Sequence, residues 1–291
     1  MSMDVLQEGI RRLKNPTVLS LKPTDEVVPG YLLEAYSTKT QAWGAYCETL
    51  LEALKEWIPA VKVSFPCFAA LGGEGVSLMQ RIIRLARELG YYVILDGLGG
   101  DWGAAAKAAA DSVFQPDGPY FCDCAVLNGY WGSDGIKPFL PYCKEDKSVF
   151  VSVKSPNRSS VEIQDLMAGG RLVHTAMADL VNRWGGEQYG KYGYSPVGAL
   201  VGATHPEILK TLRAKYDRVF FLVTGLDIPG ANPKGCQSAF DRFGHGAAVC
   251  AARSILSAWN TEGSDGKDFA QQAVEAAQKL RKNLGKYVQI M

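Results

Sequence analysis

The chain has 291 residues, of which 47% are hydrophobic and 21% charged, and its formal net charge at pH 7 is +1. That balance suits a globular protein with one large core. It argues against a nucleic-acid-binding or membrane-surface protein, either of which draws on a basic surplus.

The opening stretch, MSMDVLQEGIRRLKN, has the apolar spacing of an amphipathic helix at about 3–14 and lacks the apolar centre of a signal peptide. No apolar run approaches the ~18 residues of a spanning helix, so no membrane association and a cytoplasmic location are expected.

Short apolar runs then recur: TVLSL (17–21), AVKVSF (60–65), YYVILD (91–96), CAVLN (124–128), SVFVSVK (148–154), VGALVG (197–202), RVFFLV (218–223) and AAVCAA (247–252). Each reads as a strand buried on both faces. Between them lie segments with helical spacing, such as TKTQAWGAYCETLLEALKEWI, VSLMQRIIRLAREL and HPEILKTLRAKY. A last helix is expected at about 268–285. No linker, repeat or low-complexity run divides the chain, so residues 1–291 are expected to form a single domain.

The βα alternation predicts an α/β fold, a (β/α)8 TIM barrel, with an open doubly wound sheet as the alternative. No G-x-G-x-x-G follows the first strand, which weighs against a dinucleotide fold.

The seven cysteines are odd in number and scattered. Cys122 and Cys124, in C-D-C on an expected strand, would point both thiols to one face, but no second pair completes a metal site. Buried, reduced cysteines are expected. A site built from Asp96, Asp101 and a histidine is equally unsupported, because His174, His205 and His245 lack ligand spacing to one another. No metal is expected.

In a barrel the chemistry sits where strands end. The exits here are polar: Lys22, Lys62, Asp96 with Asp101, Asn128, Lys154 with Asn157, the loop TGLDIPGANPKG (224–235), and Arg253. Strand ends meet solvent, which accounts for much of this. Lys62 is different, because a lysine inside an apolar strand needs water or a carboxylate.

The segments at these exits resemble the orotidine 5'-phosphate decarboxylase family, in particular its longer bacterial branch. VKVSFPCFAALGGEG is similar to the family's strand-two lysine segment, and VILDGLGGDWG to its D-x-K-x-x-D signature. VLNGYWGSDGIKPFL is similar to N-P-Y-x-G-x-D, VFVSVKSPNRSSVEIQDL to the T-S-N segment, ALVGATHPEILKTLRA to V-G-A-T, and VCAARSILSAW to S-R-x-I. Six segments occur in the family's order.

The resemblance implies a homodimeric (β/α)8 barrel that decarboxylates a nucleotide without a cofactor, in pyrimidine biosynthesis. It implies a charge network of Lys62, Asp96 and Asp101, with Asp101 reaching the partner's site. It also implies a ligand-binding set of Asn128, Ser155, Asn157, Gly225, Gly230 and Arg253, with Arg253 on the phosphate.

The departures fall on the chemistry. The signature lysine, which stabilises and protonates the carbanion, is Leu98, and the usual arginine beside it is Gly99. The threonine after the second aspartate is lost within Ala104–Ala106. The base-reading serine is Pro156, and the glutamine spanning base and phosphate is Pro229. The first-strand aspartate is Lys22, which could reach across the mouth to neutralise Asp96. Two readings follow: a nucleotide or phosphate-monoester enzyme with a relocated lysine, or a non-catalytic phosphate-ligand binder. Orotidine 5'-phosphate turnover is expected to be weak or absent under either.

Overall fold

The structure, a computed structural model, describes residues 1–186 and 188–291. Eight parallel strands form its centre: β1 (Thr17–Leu21), β2 (Ala60–Ser64), β3 (Tyr92–Asp96), β4 (Cys124–Leu127), β5 (Ser148–Lys154), β6 (Val197–Gly202), β7 (Phe221–Thr224) and β8 (Ala247–Ala251). Each pairs with the next, and β8 returns to β1 with Leu19 opposite Ala251. That closing pair makes the sheet a barrel and excludes the open alternative. Removing both edges also satisfies every strand's lateral hydrogen-bonding groups.

Side chains alternate across the barrel wall. Val18, Ile94, Phe150, Leu200, Leu222 and Ala248 fill the interior. Leu19, Val61, Val93, Val151 and Val223 face the helices, which include Lys39–Leu54, Gly72–Glu88 and Phe269–Gly285. Both faces of each strand are therefore apolar, which is why the strands read as continuous hydrophobic runs.

The first helix, α1 (Ser2–Leu13), sends Met3, Leu6 and Ile10 into the interior cluster. The hydroxyl of Ser2 is 2.8 Å from that of Tyr92, the first residue of β3. Helix α1 thus closes the end of the barrel where the strands begin. The opposite end, where the strands finish, is left open.

Two expectations are corrected. Cys122 precedes β4 and packs in the outer cluster, whereas Cys124 lies on β4 and faces the interior. The thiols therefore sit on opposite sides of the wall. All seven cysteines are free, and no group of three or more His, Cys, Asp or Glu able to hold a metal ion occurs among the described residues. The second correction is Lys154. A register shift between Ser152 and Lys154 ends the regular alternation of β5. The Lys154 ammonium is fully buried against Asp165 at 2.8 Å, and Asp165 also meets His174 Nδ1 at 3.1 Å. This lysine anchors the loop after β5 instead of entering the mouth.

Candidate functional site

Lys62 lies on the inward face of β2, in register with Ser20 on β1 and Ile94 on β3. Its side chain is only 2% exposed. Ser64, two residues on, pairs with Asp96, so Lys62 and Asp96 are diagonal neighbours on one face. Their ammonium and carboxylate form an ion pair. The lysine's four-carbon stem passes through apolar wall while its charge is met at the rim.

Beside this pair is a cavity of about 350 Å³ at the mouth, within the usual range for small-molecule sites. Ser20 and Lys22 line it from β1, Thr224, Gly225 and Asp227 from the end of β7, and Cys250 and Arg253 from the end of β8. Burial pushes the Cys250 thiol up to about 11; of the charges acting on it, Lys62 lowers it, Asp96 raises it and Lys22 lowers it. This thiol is therefore protonated at neutral pH and is no nucleophile.

The expected ion pair of Lys22 with Asp96 is not formed among the described residues. Lys62 occupies that carboxylate from the adjacent strand, and Lys22 makes no ion pair among the described residues. Strand order decides this: β2 lies between β1 and β3, so Lys62 is nearer. Lys22 is exposed and lines the cavity with Arg253.

Asp101 does not join Asp96. Its carboxylate accepts the amide N–H of Trp102 at 2.8 Å. Together with Asn128 it lines a separate flank cavity of about 260 Å³. Leu98 lines this second cavity too, beside Ala105, Ala106, Ala109 and Phe139, and packs on the outer core. The residue at the signature-lysine position thus belongs to the flank, not to the mouth cavity. Asn128 accepts the N–H of Tyr130 at 3.0 Å.

Ser155 is committed locally. Its N–H donates to Gln164 Oε1 at 2.9 Å, and its hydroxyl oxygen accepts from Gln164 Nε2 at 2.8 Å. Asn157 is exposed at the start of the following turn. Gly230 has φ +94° and open space around it, outside the mouth cavity's lining.

Gly225 is tightly constrained. It has φ +80°, and a Cβ there would lie 2.5 Å from Pro156 Cβ. Gly225→Ala is expected to cost about 1–3 kcal/mol in stability through left-handed strain alone, with the Pro156 clash adding to it. Urea unfolding measures this, and an unchanged midpoint would refute the assigned loop geometry.

Ser20, Thr24 and Cys250 are lining residues that reading strand exits misses, whereas Thr224 and Asp227 fall within the exit loop 224–235. The signal for Ser20 and Cys250 was present. Ser20 shares the inward parity of Val18, and Cys250 that of Ala248.

Fold and cavity together define a (β/α)8 barrel with a polar cavity at the C-terminal ends of its strands, where barrels of this class carry their chemistry. No family model matches the chain. Orotidine 5'-phosphate decarboxylase of Rhodopirellula baltica is 32% identical over 267 residues, covering 88% of each chain. That of Clostridium perfringens strain 13 is 32% identical over 274 residues, covering 93% of this chain and 94% of the relative. The crystal structure of a putative orotidine-monophosphate-decarboxylase from Toxoplasma gondii superposes with a TM-score of 0.81 at 25% identity, covering 98% of both chains. The OMP decarboxylase of Leishmania donovani gives 0.73 at 26% identity, covering 97% of this chain and 99% of the other. The chain belongs to the orotidine 5'-phosphate decarboxylase family. No helix among the described residues is long and apolar enough to cross a membrane.

Proposed function

We propose that this protein binds a nucleotide or related phosphate monoester at the barrel mouth, and that it decarboxylates orotidine 5'-phosphate weakly or not at all. The observation that carries this reading is the division of the family's charged residues. Lys62 and Asp96 remain paired beside a cavity that contains Arg253 and Gly225, while the signature-lysine position is an apolar residue on the flank. A guanidinium and a glycine-rich loop suit phosphate oxygens. The Lys62–Asp96 pair supplies a preorganised dipole at the rim, but it offers no second ammonium to stabilise and protonate a carbanion.

The test is mass spectrometry of whatever co-purifies, followed by titration with uridine 5'-monophosphate and with uridine. Retention of a phosphate monoester and a clear preference for the nucleotide support the reading. Equal binding of nucleotide and nucleoside would overturn it. The non-catalytic binder is favoured over a relocated-lysine enzyme by one specific observation: Lys22 does not reach Asp96.

The active assembly is a homodimer in this reading. Trp102, Tyr130 and Trp131 are 55%, 72% and 44% exposed. The rings of Trp102 and Trp131 have centroids 4.7 Å apart, next to Asp101. Such an apolar trio beside the flank cavity suits burial against a second copy. Sedimentation at micromolar concentration is expected to give a dimer, and the double change Trp102→Ser with Tyr130→Ser is expected to shift it toward monomer. A clean wild-type monomer would count against both the dimer and a role for Asp101 across it.

A further inference from the structure

We infer that Lys22 joins Arg253 as a second cation on the ligand's phosphate, making a two-cation clamp. This rests on the phosphate-monoester reading above, in which Arg253 already meets the phosphate, and adds Lys22 to the groups that grip the anion.

Lys22 and Arg253 leave neighbouring strands at the same end of the barrel. Strand β1 pairs with β8, with Leu19 opposite Ala251, so Lys22 and Arg253 follow paired residues by three and two positions. Paired strands run about 4.8 Å apart. Side chains as long as lysine and arginine can therefore converge on one tetrahedral anion. Both line the same cavity of about 350 Å³, and both are exposed. Neither makes an ion pair or a side-chain hydrogen bond among the described residues, whereas the other lysine at this rim, Lys62, is already held by Asp96.

Two carboxylates also line the cavity, Glu26 and Asp227. Asp227 is turned to the main chain, where its Oδ2 accepts the N–H of Ala252 at 2.7 Å. Glu26 is exposed and makes no ion pair among the described residues. Neither acid therefore satisfies the two cations. A phosphate monoester carries close to two negative charges at neutral pH, matching two ammonium-type partners. The guanidinium can take two oxygens in its fork while the lysine acts as a point charge on the third. In this arrangement the exchange of an acid for Lys22 alters how the ligand is anchored and leaves the Lys62–Asp96 pair untouched.

The experiment uses uridine 5'-monophosphate and uridine as probes, on wild type, Lys22→Met, Lys22→Arg, Arg253→Met and the double Met variant, by calorimetric titration at fixed ionic strength. Lys22→Met is expected to weaken the nucleotide about tenfold or more, as loss of a charge-assisted hydrogen bond does, with uridine unaffected. Lys22→Arg is expected to restore most of that loss. The double variant is expected to lose less than the product of the two single losses, because the two cations share one anion. Thermal melting of each variant shows that it is folded.

An equal loss for nucleotide and nucleoside in Lys22→Met overturns the clamp, since Lys22 would then act on the sugar or base. An unchanged nucleotide affinity in Lys22→Met, with a loss in Arg253→Met, overturns the clamp and leaves the phosphate reading standing. If wild type does not distinguish uridine 5'-monophosphate from uridine, the phosphate reading itself fails.

Discussion

Orotidine 5'-phosphate is expected to be turned over roughly 10⁴-fold or more slowly than by a relative that carries the signature lysine, since loss of one member of an interacting catalytic set costs orders of magnitude. The loss of orotate absorbance, followed side by side with such a relative, measures this. The restoring change Leu98→Lys is expected to recover little. Leu98 packs on the outer core and lines the flank cavity with Ala105, Ala106 and Phe139. An ammonium there would share the flank cavity with Asp101 and Asn128 as well as alanine methyl groups, and would have to draw the whole loop inward to reach Asp96. Gly97, which begins that loop, has φ +84°, and a Cβ on it would lie 2.6 Å from Pro66 Cδ. The loop path is thus set by packing against the exit of β2 as well as by residue 98. Pro156 at the cavity wall adds a second obstacle, because a proline cannot donate the hydrogen bond of a base-reading serine. Turnover comparable to that of the lysine-bearing relative would show that another group in this chain delivers the proton.

The second large effect is on stability. Asp96→Ala is expected to destabilise the fold by about 3 kcal/mol, the lower end of what removing one partner of a buried ion pair costs. The lower end applies because Asp96 is 24% exposed while Lys62 is 2% exposed, so some water can compensate. The change would leave an ammonium inside the barrel wall with nothing opposite it. Lys62→Met, which leaves the more exposed partner, is expected to cost less. Lys62→Met combined with Asp96→Leu is expected to be close to neutral, because replacing a whole buried pair by apolar groups removes the desolvation cost as well as the attraction. Urea unfolding of the three variants measures both the individual losses and their coupling. If Asp96→Ala leaves the midpoint unchanged, Lys62 finds water or another acceptor, and the pair does not contribute to the stability of the barrel wall.

The sequence by itself determined the barrel. Each of its eight strands overlaps an apolar run visible in the chain, because a strand covered on both faces must be apolar on both. It also determined which polar residues stand at the strand ends, since an apolar run that stops in a charge marks where the wall meets water. That rule placed Lys22, Asp96, Gly225 and Arg253 at the open end. Lys62 was conspicuous for a related reason, being a charge inside such a run.

Tertiary structure alone decided which of these groups meet. The resemblance implied Lys62 in a network with Asp96, and Lys22 was expected as a second cation beside it. The order of strands around the barrel and the register between β2 and β3 gave that carboxylate to Lys62. Lys154 has the sequence signature of a mouth residue, but a register shift at the end of β5 sends it to Asp165 and His174. Leu98 sits in the signature position by spacing, yet its side chain follows the loop's packing onto the flank. Spacing along a chain reports the face and the end of a strand, because those follow from backbone geometry within a few residues. Contacts between strands depend on closure and register, which are set by residues far apart in sequence, and no local pattern contains them.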